Sequence, residues 1–567
     1  MTTPDVPATA PAAAPEEPAP EKAPTLSAAT SAATPSAAGN AATARAGALP
    51  LSAPMAYGGA VLSGLLYWLA FPGVDAWPFA FVAWVPLLVA MRGQTARRAM
   101  LLGWVAGITM NVAGFWWLQG MLTTFSGFPA PLCFLFLLVV CAFQGGRIAL
   151  QGWLYGRATA RGWPHGPMFA GSFAASELLY PVLFPWYFAA TVHQVPLLTQ
   201  LGDVGGPIGV GLVLVAANLA IGEAVLAIVE RRKAGVPTLA TGAAVVALAC
   251  IYGAIRIRMV DAEAQAAPAA TVGVVQANMG LSEKRSSFDE GLRRHLKLSA
   301  ELREQGADFV VWSETSAMRP VRDSSYVEEL RAVARRIGLP SIFGAVVVKR
   351  VPDEREYVLF NSAVSSDAEG TVSGRYDKQF LLMFGEYLPF GETFPILYRW
   401  SPNSGRFTPG TSLDPLTIDV RGEKHPVTAL ICYEDILPRF TNDAVRHANP
   451  ELLVNLTNDA WFGDTEAPWE HFALTQLRAV EHRRYLVRGT NSGVSGVVDP
   501  VGRVVAQSGT FRMESLAAPI HWMRAHTMYE RLGDWPWLLV SGGLIYSAFR
   551  RRRPTVRPLE RAPVQAS

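Results

Sequence analysis

Eight runs of apolar residues constrain this chain more than any other feature. Seven crowd together at roughly 55–71, 77–91, 100–119, 131–150, 167–190, 207–229 and 238–255, and the eighth stands alone at 535–549. A helix needs about 20 apolar residues to cross a bilayer, so the second and eighth runs must borrow flanking residues. Any one run reads equally well as a buried helix of a soluble protein. Eight in this arrangement read as an eight-helix transmembrane bundle. Only 17% of the 567 residues are charged, below the usual figure of about 25%, and the deficit is local, which separates an apolar half from a polar one.

The basic residues orient the bundle. The loops after runs two, four and six carry Arg92, Arg97 and Arg98, then Arg157 and Arg161, then Arg231, Arg232 and Lys233. The final tail carries Arg550, Arg551, Arg552 and Arg553, whereas the loops after runs one, three and five have no Lys or Arg. By the positive-inside rule both termini are cytoplasmic and residues 256–534 lie outside. Arg256 and Arg258 run against the trend, which long translocated domains tolerate. Residues 1–52, rich in Ala and Pro, cannot bury enough apolar surface to order themselves, and they read as a disordered cytoplasmic tail. They lack the charged and apolar regions of a signal peptide. The chain thus divides into that tail, transmembrane helices 1–7 over 53–258, a soluble domain over 268–520, a last helix over 535–549 and a basic cytoplasmic tail over 550–567. A net charge of +3 gives no nucleic-acid footprint.

The soluble segment alternates short apolar strands with charged helical stretches, an α/β pattern. Thr271–Gln276, Phe309–Trp312, Ser341–Val348, Val427–Cys432 and Leu452–Leu456 read as strands. Phe288–Glu304, Ser325–Ile337 and Trp469–Val487 read as helices. Val494–Asp499 and Arg503–Gln507, joined by Pro500-Val501-Gly502, read as a hairpin.

Three short motifs carry chemistry. Val310-Val311-Trp312-Ser313-Glu314-Thr315 puts a carboxylate just past a buried strand, where desolvation raises its pKa toward that of a general base. Tyr376-Asp377-Lys378-Gln379 offers a compact ammonium suited to a developing oxyanion, and Glu386 downstream can hold it charged and oriented. Leu430-Ile431-Cys432-Tyr433-Glu434-Asp435 carries a thiol from a buried strand into a polar segment, and a thiol with a neighbouring base is a strong nucleophile. Each has a bland alternative when taken alone: a helix-capping Glu, a surface-loop Lys, an inert core Cys. Cys133, Cys141 and Cys250 lie in apolar runs and read as small core residues. His447, His471 and His482 match no zinc spacing and read as surface or structural histidines. Glu177 lies inside a membrane run, which makes it a functional candidate by default; it reads rather as a hydrogen-bonded packing residue.

Taken together, the three motifs resemble the nitrilase superfamily, whose triad is Glu, Lys and Cys in this chain order. The resemblance continues through Asn458-Asp459-Ala460-Trp461-Phe462-Gly463, Arg478-Ala479-Val480-Glu481, Thr490-Asn491-Ser492-Gly493 and Asp499-Pro500-Val501-Gly502. Seven helices, such a domain and an eighth helix look like the membrane-embedded branch, the apolipoprotein N-acyltransferase family. Phe384-Gly385-Glu386-Tyr387, Cys432-Tyr433-Glu434, and Glu177 with Phe184-Pro185-Trp186 in run five also look like that family. The resemblance implies an αββα nitrilase-like domain facing the periplasm, on a multi-pass protein of the bacterial inner membrane. It implies Glu314, Lys378 and Cys432 as catalytic residues, with Glu386, Tyr433, Glu434, Asn458, Trp461 and Phe288 supporting them or binding substrate. It implies a phospholipid acyl donor and a diacylglyceryl apolipoprotein acceptor, acylated on its α-amino group through a Cys432 thioester, with membrane lipid as the surroundings and no cofactor or metal. Three departures stand out. Leu382-Met383 precedes Phe384 where the family usually has Val-Pro, Phe288 stands where a Trp is expected in the loop after the first strand, and Tyr180 stands where an Arg often follows the run-five Glu. Two rival readings share parts of this pattern: a membrane-tethered amidase that hydrolyses small amides, and a transporter with an inactive nitrilase-like binding domain. The complete triad and the scarcity of charge within the runs weigh against the second.

Overall fold

The computed structural model describes residues 50–551 apart from 281–286, 318, 351–356, 384 and 401–403. The tail up to residue 49, Phe384, and Arg552 and Arg553 therefore lie outside the described residues.

The apolar half is helical: α1 (Ala53–Leu69), α2 (Val85–Met91), α3 (Ala96–Gly114), α4 (Leu118–Ser126), α5 (Ala130–Ala160), α6 (His165–Leu179), α7 (Gly202–Val229) and α8 (Val236–Ala266). Three of these, α5, α7 and α8, are long and apolar enough to cross a membrane, and α3 with the start of α4 makes a fourth if that pair, bent by 62°, is one span. The apolar runs are thus less regular than their sequence suggests. Run two is a 3₁₀ turn at Trp77–Phe81 followed by the seven-residue α2. Run five is helical only to Leu179, because Pro181 disfavours helical geometry at Tyr180; residues 180–187 are irregular and a short 3₁₀ turn follows at Phe188–Val192. α7 is kinked at Gly206, ahead of Pro207. Helices α3 and α5 pack backbone against backbone: a Cβ on Gly103 would lie 2.3 Å from the Ile148 carbonyl oxygen, and one on Gly107 would lie 2.6 Å from Gly145 Cα. Small residues permit this approach between apolar helices.

The polar half is built from two sheets. One runs β13-β1-β2-β4-β5-β6, with the two-residue β3 (Val321–Arg322) paired to β4. Its strands are β1 (Ala269–Gln276), β2 (Phe309–Val311), β4 (Ser341–Arg350), β5 (Tyr357–Ser366), β6 (Val372–Asp377) and β13 (Glu514–His521). The other runs β12-β11-β10-β9-β8-β7, made of β7 (Leu416–Val420), β8 (Glu423–Ile431), β9 (Leu452–Thr457), β10 (Leu486–Thr490), β11 (Gly496–Val498) and β12 (Val504–Gln507). Val272, Val274, Val311 and Ile342 of the first sheet meet Leu430, Val454 and Val487 of the second in one core. The outer face of the first sheet buries Leu298 and Leu302 of α9 (Phe288–Glu304) and Leu330 and Ile337 of α10 (Tyr326–Ile337). The outer face of the second buries Val445 of α11 (Pro438–Ala448) and Phe472 and Ala479 of α12 (Ala467–His482). The result is a four-layered αββα sandwich, as the family resemblance implies and in keeping with the α/β pattern of the segment. The hairpin is present as antiparallel β11 and β12. A last apolar helix, α13, spans Trp535–Phe549.

Buried ionic contacts join the two halves. Asp203 of α7 accepts from Arg483 Nη2 at 2.8 Å, Arg256 Nε at 3.0 Å and the Tyr252 hydroxyl at 2.7 Å. Arg483 follows α12 with φ +52 and also donates to the Gln200 side chain and to the Pro500 carbonyl. An arginine fork satisfied on this many acceptors is well suited to a buried ion pair.

Candidate active site

Three strand ends converge. β2 stops at Val311, and Ser313-Glu314-Thr315 turns sharply, with Thr315 at φ +50. The turn fits because β4 has glycine opposite: a Cβ on Gly344 would sit 2.3 Å from the Thr315 nitrogen. β6 stops at Asp377 and delivers Lys378, 1% exposed. β8 stops at Ile431, and Cys432 opens a 3₁₀ turn, Cys432–Ile436, at φ +50. Cys432 is therefore the first residue past the strand rather than its last, in a backbone region a non-glycine residue rarely visits. Such a turn lifts the thiol out of the sheet, a form of strain that clusters at functional sites.

Lys378 Nζ lies 2.7 Å from Glu386 Oε2 and 3.7 Å from Glu314 Oε1. The Asn361 amide spans the two carboxylates, donating to Glu314 Oε1 at 2.6 Å and to Glu386 Oε1 at 2.8 Å. The Leu382 N–H donates to Glu386 Oε2 at 2.8 Å. Burial works to strip the Lys378 proton, but Glu386, the Cys432 sulfur and Glu314 outweigh it and hold its pKa above the ordinary range. Burial pushes the Cys432 thiol up to about 12, with Lys378 pulling the other way and Glu314 and Glu386 adding to the rise. The resting thiol is thus protonated and needs a base when it reacts.

Glu434 ties the lysine loop to the cysteine turn. One oxygen accepts from the Ile431 N–H at 2.7 Å, and the other from the Tyr376 hydroxyl at 2.8 Å and the backbone N–H groups of Gln379 and Phe380. Burial raises its pKa to about 7, and those backbone bonds and Lys378 oppose the rise. Beneath the turn, Asp435 and Asp459 are each bound by both His471 and Arg488, at 2.6–3.0 Å. Burial opposes ionisation of both acids, but the two cations hold their pKa values down; burial and Arg488 oppose charging of His471, yet the two acids hold its pKa up. This network pins the Cys432 turn to the turn Asp459–Phe462. His471 is thus a structural cation. His447 is exposed beside Asp414, and His482 is fully buried near Glu530.

Cys432 opens onto a narrow cavity of about 50 Å³ whose wall comes from both halves of the chain: Phe115 and Trp117 near the α3–α4 bend, Phe184 and Trp186 from the irregular segment after α6, and Tyr433 and Phe462 from the polar half. The irregular segment is held by α5 and α6. Gln144 accepts from the Leu183 and Phe184 N–H groups and donates to the Phe184 carbonyl. Arg147 donates to the Trp186 carbonyl and to Glu177, and Glu177 accepts from the Phe188 N–H. Non-helical backbone in an apolar bundle must be satisfied internally in this way. Glu177 is therefore a hydrogen-bonded packing residue, but its partner Arg147 is a buried charge within run four that the sequence reading overlooked. The Tyr433 hydroxyl donates to the Leu183 carbonyl at 2.7 Å and anchors the turn after β8 to this wall.

Glu314, Lys378, Glu386 and Cys432 are thus brought together, with Glu434 and Tyr433 bracing them. The remaining expectations fare differently. Asn458 accepts from Asn491 Nδ2 at 3.0 Å and braces neighbouring loops. Trp461 is half-buried, and Phe462 supplies the ring that faces the cavity. Phe288 is not in a loop: it opens α9 and packs on Ala277 and Met279, away from the wall beside Cys432. Of the Leu382-Met383 departure, Leu382 lines the cavity and Met383 does not. The Tyr180 hydroxyl donates to the Phe143 carbonyl. Asn361 was overlooked, because nothing local marks a polar residue in a strand as a bridge between two distant carboxylates.

Known proteins match both halves. The carbon-nitrogen hydrolase family model covers residues 271–525, and that of the apolipoprotein N-acyltransferase N-terminal domain covers 63–220. The apolipoprotein N-acyltransferase of Geobacter metallireducens is 28% identical over 506 residues, 88% of this chain and 95% of the relative. That of Azotobacter vinelandii is 30% identical over 511 residues, 87% of this chain and 95% of the relative. Among solved structures, an amidase from Nesterenkonia sp. aligns with a TM-score of 0.33 at 20% identity, over 44% of this chain and 90% of its own.

Proposed function

The chain belongs to the apolipoprotein N-acyltransferase family, and we propose that it takes an acyl chain from a membrane phospholipid and passes it, through a thioester on Cys432, to the α-amino group of a diacylglyceryl-cysteine on an apolipoprotein. It is a membrane-associated acyltransferase with a lipid donor and a lipoprotein acceptor. The observation that carries the mechanistic reading is the cavity: the candidate nucleophile faces an aromatic wall contributed by the apolar helical half. Such a wall suits an acyl chain and excludes water. A soluble amidase acting on small amides has no use for it.

In the proposed sequence Glu314 takes the Cys432 proton as the sulfur attacks the phospholipid ester carbon. Lys378, with a backbone N–H near Tyr433, stabilises the oxyanion. Glu314 returns the proton to the leaving alkoxide, so lysophospholipid departs and the thioester remains. The amine then attacks the thioester, and the Cys432 thiol is regenerated. Two easier steps replace one difficult one. The test is mass spectrometry of a diacylated lipopeptide incubated with enzyme and phospholipid. A gain of one acyl chain is expected; release of free fatty acid with the peptide unchanged would favour the hydrolase.

The same reading places both termini in the cytoplasm, residues 256–534 in the periplasm, and the catalytic domain at 268–520. Lys/Arg-free loops on one side and arginine-bearing loops on the other support it. Reporter fusions after Gly127 and Ser286 should behave as periplasmic and one after Arg232 as cytoplasmic. A cytoplasmic Ser286 fusion would overturn the orientation.

A further inference from the structure

The cavity beside Cys432 holds one acid that the Glu314–Lys378–Cys432 set does not use. Glu470, the fourth residue of α12, is 4% exposed and lines the cavity with Cys432 and Tyr433. Its Oε2 accepts from Trp117 Nε1 at 3.1 Å. Among the described residues it forms no ion pair and its carboxyl accepts no backbone N–H, and the two together set it apart from the other buried glutamates. Glu177 has Arg147, Glu481 has Arg478, Glu530 has Arg484, and Glu434 has three backbone N–H groups. A buried carboxyl with no cation is costly to ionise. The indole N–H alone does not call for an acid, since a glutamine carbonyl would accept that bond equally well.

We propose that Glu470 is a subsite for a primary ammonium group, and that the group it receives is the α-ammonium of the acyl acceptor. The assignment rests on the acyl-transfer reading above. In that reaction the nitrogen must reach the thioester carbon on Cys432, and Glu470 shares a cavity of only about 50 Å³ with that sulfur. The wall is otherwise mainly rings and aliphatic chains, so an entering ammonium meets one acid able to balance its charge. The groups facing Glu470 are Trp117 from the apolar half, Cys432 and Tyr433 from the turn after β8, and His471 from its own helix, with Glu466 one turn earlier. His471 is committed to Asp435 and Asp459.

The protons balance. Before the acceptor arrives, burial holds the Glu470 proton on, the Trp117 bond opposing it only in part. An arriving ammonium supplies the missing counter-charge, Glu470 ionises, and its proton leaves to solvent. As the N–C bond forms and the C–S bond breaks, the nitrogen sheds two protons. One returns to Glu470, and the other goes by way of Glu314 to the departing Cys432 thiolate. The products are the amide, the free thiol and a neutral Glu470, with one proton released overall.

The test separates the two half-reactions in the full-length enzyme. Acyl-enzyme is formed from phospholipid alone and then discharged in single turnover by a lipopeptide with a free α-amino group. Glu470→Gln keeps the shape and the Trp117 bond. It should form acyl-enzyme at the normal rate but slow discharge by roughly 10²-fold, the lower end of what a positioned acid or base supplies. Its discharge rate should climb steeply with pH through the α-amine's own pKa of about 7.7–8.0, while the native enzyme depends on pH less. Hydroxylamine, uncharged near neutral pH, should discharge both equally, and Glu470→Asp should recover part of the lipopeptide rate. An ethanolamine headgroup carries the same chemistry, so donors with ethanolamine and with glycerol headgroups are compared. Slower acylation with ethanolamine lipids alone would keep the ammonium subsite but overturn its assignment to the acceptor. Normal discharge, or acylation slowed equally with both lipids, would overturn the subsite. Absence of acyl-enzyme in the native protein would instead sink the acyl-transfer reading itself.

Discussion

Cys432→Ala is expected to abolish both protein-bound acyl groups and lipopeptide acylation. The loss should be on the order of 10⁶-fold, the scale seen when a nucleophile acting within a catalytic set is deleted. The native enzyme given phospholipid but no acceptor should instead release one lysophospholipid and gain the mass of one acyl chain. That intermediate should persist. Thioesters hydrolyse slowly near neutral pH, and the cavity wall of Phe115, Trp117, Phe184 and Trp186 restricts water. Hydroxylamine should discharge it, and a lipopeptide with a free α-amine should receive the same chain. Cys432→Ser should form at most a sluggish ester, since the alcohol is the weaker nucleophile. Glu314→Gln should slow acylation sharply: the thiol, pushed up to about 12 by burial, stays protonated without a base. Free fatty acid released with no protein-bound acyl group would remove the thioester from the mechanism.

That this experiment can be designed from a sequence reflects how local the main signals are. Glu314 and Cys432 each follow an apolar strand, and such strands announce themselves by short-range pattern; Lys378 follows β6, whose Val-Ser-Gly-Arg-Tyr-Asp sequence carries no such pattern. Helix α9 spans Phe288–Glu304, as its periodicity predicts. The limits of that reading are equally physical. The helix expected over Trp469–Val487 ends at His482, because Arg483 takes a left-handed conformation to reach Asp203, and Val487 belongs to β10. The apolar runs are legible as runs, but not where they break; hydropathy does not register the bend after Gly114 or the irregular stretch after Leu179. The residues that hold such stretches come from elsewhere in the chain, as Gln144 and Arg147 do for Leu183, Phe184 and Trp186. Asn361 and Glu470 share that obscurity. Asn361 spans carboxylates 47 and 25 residues away, and the indole that meets Glu470 lies 353 residues away. No window along the chain holds both partners. Phe288 was singled out by likeness to a family position, while its own periodicity already marked it as the first residue of a helix.

Lys378→Ala is expected to lower the rate of acylation by at least about 10²- to 10³-fold, the cost of removing one oxyanion stabiliser. The geometry argues for a larger loss, because the ammonium does a second job. Glu314 and Glu386 share the Asn361 amide and the Lys378 ammonium. Without it, the two buried carboxylates lose the cation they share. Like charges held this close do not both ionise readily, so one carboxyl takes up a proton. If that proton settles on Glu314, the base for Cys432 is lost along with the oxyanion partner. The residual activity of Lys378→Ala should therefore rise with pH as the shared proton is lost, a dependence the native enzyme should lack over the same range. Lys378→Arg should not restore the rate. Its planar fork is wider than a compact ammonium, and the site is enclosed, with Lys378 only 1% exposed. Stopped acylation assays across pH, with thermal unfolding measured in parallel, separate lost chemistry from lost fold. A folded Lys378→Ala enzyme with near-native acylation would take this residue out of the mechanism. A deep but pH-independent loss would leave it the oxyanion role alone.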